Sequence, residues 1–90
     1  METSIDFKKL PSNPLNGGIQ YKAKFNNGYG ASIVQHNFSY GGNDGLWELA
    51  VLNKNGNLCY DTPITNDVLG YLTESDVNAT LMLIKALPED

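Results

Sequence analysis

"IQYKAKFNNG", residues 19–28, alternates apolar and polar side chains without a break and then runs into a turn. Ile19, Tyr21, Ala23 and Phe25 fall on one face of an extended chain, Gln20, Lys22 and Lys24 on the other. Successive side chains of a strand point to opposite sides, so this period of two predicts a strand with one buried and one solvated face. Asn26, Asn27 and Gly28 tolerate positive φ, so a tight turn and an antiparallel return are expected. The second strand is read over about residues 29–38, with Ile33 and Val34 at its apolar centre.

Working outward, "LWELAVLN" at 46–53 is interrupted only by Glu48 and reads as a central strand. Asn55-Gly56, within "KNGN" at 54–57, suits a type I′ hairpin, after which "LCYD" at 58–61 returns as a short fourth strand. The pattern changes after Pro63. "TNDVLGYL" at 65–72 is expected as a short helical turn with Thr65 as its cap. Thr73, followed by Glu74, Ser75 and Asp76, is a helix start, because its hydroxyl can accept an orphan amide and the acids complement the helix dipole. Val77, Leu81, Ile84 and Leu87 then gather on one side, with Leu83 at the margin and Asn78 and Lys85 opposite, until Pro88 ends the segment. Residues 1–18, which hold Pro11, Asn13, Pro14, Asn16 and Gly17-Gly18, read as an irregular arm ahead of a single domain at 19–90. The fold class is therefore α+β: an antiparallel meander of about four strands with a C-terminal amphipathic helix. A small closed barrel of the Sm or SH3 type is the alternative, since short glycine-rich strands can curl.

Composition narrows the function classes. The 90 residues are 41% hydrophobic and 18% charged, ordinary for a globular chain and too apolar for a disordered one. No stretch approaches the ~18 apolar residues of a membrane span, and "METSIDFKKL" has no signal-peptide core. Cys59 is the only cysteine, which rules out an internal disulfide. A soluble intracellular protein is expected. The net charge of −4 conceals an asymmetry. Lys8, Lys9, Lys22 and Lys24 face only Glu2 and Asp6 in residues 1–43, whereas residues 44–90 carry eight acids against Lys54 and Lys85. There is no arginine, the side chain best shaped for bidentate contact with phosphate or guanine, which weighs against a sequence-specific nucleic-acid reader.

"SYGGNDGLWELAV" at 39–51 is the stretch that most resembles a ligand loop. A phosphate-binding loop ends in Gly-Lys-Ser/Thr, whereas these glycines lead into Leu46 and Trp47. A calcium loop needs spaced carboxylates, and Asp44 stands almost alone. A dinucleotide site needs a helix after the glycines, where a strand follows. The loop is read as a wide hairpin turn, with a binding loop presenting Tyr40, Asn43 and Asp44 as the alternative. His36 and Cys59 are the lone base and nucleophile, without an orienting group or oxyanion hole, and no His/Cys cluster has metal-ligand spacing. No catalytic residue, cofactor or metal ligand is assigned. Lys22 and Lys24 lie near Tyr21, Phe25 and Tyr29, but the alternation turns those lysines away from Tyr21 and Phe25, so charge and stacking do not converge on a nucleic acid.

Asn27 to Gly30 (Asn-Gly-Tyr-Gly), Tyr40 to Gly42 (Tyr-Gly-Gly), Glu48 to Leu52 (Glu-Leu-Ala-Val-Leu) and Tyr60 to Thr65 (Tyr-Asp-Thr-Pro-Ile-Thr) together form a pattern. Over roughly residues 16–87 it resembles a family of small tailed-phage proteins without an assigned activity. That resemblance implies a phage origin, expression in the cytoplasm of a bacterial host cell, and an accessory role; it carries no functional residue.

The function expected is non-catalytic: binding of a host or phage macromolecule, as in host takeover or defence evasion. The partner is expected to be a protein, with self-association left open, no membrane, and nucleic acid disfavoured. A nucleic-acid-binding small barrel and a Cys59/His36 hydrolase are the alternatives. The contact surface is placed at Tyr60 and Asp61, where Pro63 stiffens the chain, and extended by Asp67, Glu74 and Asp76 as an acidic rim.

Overall fold

In the computed structural model, which describes residues 5–64 and 68–89, the alternating stretch is the second strand of a five-stranded antiparallel sheet. The elements are β1 (Ser12–Leu15), β2 (Gly18–Lys24), β3 (Gly30–Gln35), β4 (Trp47–Leu52), β5 (Leu69–Leu72) and the helix α1 (Glu74–Lys85). The strands lie in sequence order, with β1 and β5 as edges, so the sheet is an open meander rather than a barrel. The α+β class holds, with one strand more than expected. Among the described residues, no helix is long and apolar enough to cross a membrane.

The register explains which face is buried. Tyr21, Ile33 and Leu49 stand abreast across β2, β3 and β4, as do Ala23, Ala31 and Val51. Val77, Leu81 and Ile84 of α1 belong to the same core and are fully buried. Each large aliphatic side chain so enclosed contributes about 1.5–3 kcal/mol. On the other face, Lys24–Gly30–Leu52, Lys22–Ser32–Ala50 and Gln20–Val34–Glu48 form parallel rows.

The helix start is as read. Thr73 Oγ1 accepts the Asp76 amide, and Asp76 Oδ2 accepts the Thr73 amide, each at 3.1 Å, a reciprocal capping box. Its other end is held from the β2–β3 turn. Asn27 Nδ2 donates to the carbonyls of Ile84 at 2.9 Å and Leu87 at 3.1 Å, while Asn27 Oδ1 accepts the Tyr29 amide. Of the turn residues 26–28, only Gly28 takes positive φ.

Five local expectations are corrected. The first is the irregular arm at 1–18. It contains β1 and a 3₁₀ turn at Phe7–Lys9, capped by Asp6, and Phe7 is fully buried. Its ring packs edge-on against Tyr21 and Trp47, with centroids 5.2 and 4.8 Å away. The second is Asn78, which lies not on the solvent side of the helix but beside this turn, its Oδ1 accepting the Phe7 amide at 2.9 Å. The third is the helical turn at 65–72: Thr65 lies outside the described residues, but Leu69–Leu72 is β5. The edge of β4 otherwise leaves amides and carbonyls without partners, and four residues too short to declare a period satisfy them.

The fourth is the strand at 58–61, which shrinks to a bridge between Leu52 and Leu58 and a bond from the Cys59 amide to the Val51 carbonyl at 2.8 Å. The fifth is the type I′ turn. Asn55-Gly56 closes a longer loop, in which only Gly56 has positive φ and the Asn53 carboxamide accepts the Asn55 and Asn57 amides. The type I′ geometry belongs instead to Asn16-Gly17, where φ is 49° and 82° and Leu15 pairs with Gly18.

Candidate functional site

The two ends of β3 carry different surfaces. At the Gln35 end the chain leaves the sheet through residues 36–46, the wide hairpin connection expected from "YGGNDG". Ser39 Oγ accepts the His36 amide at 3.0 Å and donates to the His36 carbonyl at 3.1 Å. The Leu46 amide returns to the Gly41 carbonyl at 2.9 Å, around a 3₁₀ turn at Gly42–Asp44. Gly42 is packed so closely that a Cβ there would lie 2.0 Å from the His36 carbonyl oxygen.

Glu48, on β4, accepts the Tyr40 amide at 2.8 Å, and the Tyr40 carbonyl accepts the Tyr71 amide of β5 at 3.2 Å. The loop is thereby tied to the sheet edge at both peptide groups of Tyr40. Three large rings stand out of this rigid frame: Phe38 is 79% exposed, Tyr40 59% and Tyr71 60%. Tyr71 adopts φ 56°, a left-handed conformation that L residues with a bulky side chain enter at a cost of roughly 1–2 kcal/mol. Asn43 and Asp44 are exposed on the same loop.

At the Gly30 end lies a trough of about 520 Å³. Leu10, Pro11, Leu52 and the main chain at Gly28 and Gly30 form its apolar surface, and Lys22, Lys24 and Lys54 line it. Gly30 is required by the ladder itself, since a Cβ there would sit 2.5 Å from the Ala23 carbonyl oxygen. With no side chain in the middle of the Lys24–Gly30–Leu52 row, the sheet has a hollow between flanking side chains.

Among the described residues, the members of the acidic rim expected from the sequence lie on two different features. Glu74 and Asp76 sit at the start of α1, where Asp76 is in the capping box and Glu74 pairs with Lys8, raising the lysine pKa above its ordinary value. Tyr60 and Asp61 line a separate hollow with Asn53, Leu58 and Cys59, and Asp61 Oδ1 accepts the Cys59 thiol at 2.9 Å. Asp67 lies outside the described residues. Of the second set, Tyr40 stands among the exposed rings and Asn43 and Asp44 beside it. Phe38 and Tyr71 were missed: Phe38 between Asn37 and Ser39, and Tyr71 in a four-residue strand, give no sign in the sequence of whether the ring turns inward or outward.

The Cys59 amide is bonded to the Val51 carbonyl and Val51 pairs with Ala31, whereas His36 follows the end of β3, five residues and roughly 16 Å beyond Ala31 at the rise of a strand. His36 Nδ1 accepts the Phe38 amide at 3.0 Å. The two form no dyad. Among the described residues no cluster of three His, Cys, Asp or Glu side chains is placed to hold a metal ion. The fold and these surfaces define a small open-sheet α+β domain with one aromatic and one cationic end. Comparisons with protein-family models, with curated proteins and with solved structures find no match.

Proposed function

We propose that this chain is a small accessory binding protein, acting by contact with a host or phage protein and not by catalysis. The display of Phe38, Tyr40 and Tyr71 on the hydrogen-bonded frame of residues 36–46 and β5 carries this reading. Exposed rings on a rigid backbone bury large areas in an interface while losing little entropy, which is why aromatic residues dominate binding hot spots. The left-handed Tyr71 adds to it: backbone strain retained under an exposed ring is not repaid by burial of that ring within the chain. The phage setting and the bacterial cytoplasm rest on the resemblance of the sequence pattern. The contact surface proposed here replaces Tyr60, Asp61, Glu74 and Asp76 with the aromatic end of the sheet.

The test is affinity capture from bacterial lysate, followed by titration of the purified partner against the wild type and Phe38→Ala/Tyr40→Ala. Loss of affinity by tenfold or more in a variant that melts like the wild type supports the reading. A partner bound equally well by this variant, but lost with Asp61→Ala and Glu74→Lys, returns the interface to the acidic residues.

A further inference from the structure

We infer that the trough at the Gly30 end is a second binding site, for a nucleotide-class ligand: a flat organic body carrying a di- or triphosphate. This goes beyond the protein contact proposed above, since the two surfaces lie at opposite ends of β3 and share no residue.

The chain has six lysines, no arginine and a net charge of −4, yet Lys22, Lys24 and Lys54 all line this one hollow. None of the described residues that line it is acidic. Among the described strand residues, the carboxylate on this face of the sheet is Glu48, two rows from Gly30, and it accepts the Tyr40 amide. Clustering like charges in a protein of opposite net charge makes a local field that attracts anions. Lys22 and Lys24 are two residues apart on one strand, hence about 6.6 Å along the chain, so their flexible stems can bring both ammonium groups to one chain of phosphates.

The shape of the hollow matches its charge. The hollow is about 520 Å³, within the ~300–1,000 Å³ usual for small-ligand sites. Its surface joins the lysines to Leu10, Pro11 and Leu52, so a ligand with a flat apolar part and a charged part matches both, whereas a bare phosphate uses only the lysines. An extended nucleic-acid strand fits less well. Successive bases need a row of aromatic platforms, and no ring lines the trough; Tyr21 is packed against Phe7 and Trp47 in the core.

Isothermal titration of the full chain with ATP, at low ionic strength, tests the site. Saturable binding of one ATP per chain is expected, weakening as salt is added. Adenosine and inorganic pyrophosphate should each bind more weakly than ATP. Lys22→Gln/Lys24→Gln, which removes two charges at exposed positions and leaves polar side chains there, should weaken ATP by about tenfold or more with an unchanged melting temperature. The same variant should bind the captured protein partner as the wild type does, which separates failure of this site from failure of the aromatic one. The inference is overturned by absence of saturable ATP binding, by ATP binding indifferent to the two lysines, or by pyrophosphate binding as tightly as ATP. Preference for an oligothymidylate over ATP also overturns it, and makes the trough a path for single-stranded DNA.

Discussion

The two ends of β3 are built on opposite principles. At the Gln35 end the main chain is held in an uncommon path by side-chain hydrogen bonds, a close approach at Gly42 and a left-handed Tyr71. At the Gly30 end the main chain is ordinary ladder, and the surface comes from side chains placed in register: Lys24, Gly30 and Leu52 in one row, Lys22 in the next. The first arrangement is specific and easily broken; the second tolerates substitution while the sheet persists. A surface made by backbone geometry should therefore fail through structure, and one made by register through charge alone.

The largest effect should come from the platform that both ends share. Phe7→Ala removes a fully buried ring packed on Tyr21 and Trp47, a loss of about 3–5 kcal/mol for such truncations. The melting temperature should fall by at least about 12 °C, and both binding activities should fall together. A Phe7→Ala protein that melts within a few degrees of the wild type would show that residues 5–15 are dispensable to the sheet.

Gly42→Ala should divide the two ends. The added Cβ meets the His36 carbonyl oxygen, so the loop must move, at a cost of about 1–3 kcal/mol. Partner binding should drop at least tenfold while ATP titration is unchanged. Equal loss of both would mean that strain in the loop reaches the whole sheet.

Asn27→Ala probes the other end. It removes the donor to the Ile84 and Leu87 carbonyls, and a loss of about 1 kcal/mol by chemical denaturation is expected, with the protein contact intact. Smallest, and opposite in sign, is Tyr71→Asn. Asparagine enters the left-handed region more readily than tyrosine, so stability should rise by about 0.5 kcal/mol while partner affinity falls. Unchanged affinity in this variant would remove Tyr71 from the interface.

The two Asn-Gly pairs show how far the sequence could be read. Both are equally good type I′ signals, yet Asn16-Gly17 adopts that turn and Asn55-Gly56 does not. The difference lies in what flanks them. Leu15 and Gly18 are held in a continuing ladder, while after Asn57 the chain makes one bridge and departs towards Cys59 and the core. Residues 5–15 depart from the expected irregular arm for a related reason. Pro11, Pro14 and Gly17-Gly18 do interrupt regular structure, but an edge strand of four residues accommodates Pro14.

By itself, the sequence determined β2, β3, β4 and α1, because alternation over 19–25, apolar runs around Ile33 and Leu49, and a Thr73-to-Asp76 cap are local signals several residues long. It also determined that Lys22 and Lys24 face away from Tyr21, since the side-chain period of a strand leaves no other choice. Only the tertiary structure decided that Leu69–Leu72 is a strand, that Phe7 enters the core, and that Lys54 joins Lys22 and Lys24 around one hollow. The same holds for the rings of Phe38, Tyr40 and Tyr71 at one sheet end. Each of these depends on a partner distant in the chain, an unpaired strand edge or an open pocket between Tyr21 and Trp47, and a local period contains no information about such a partner.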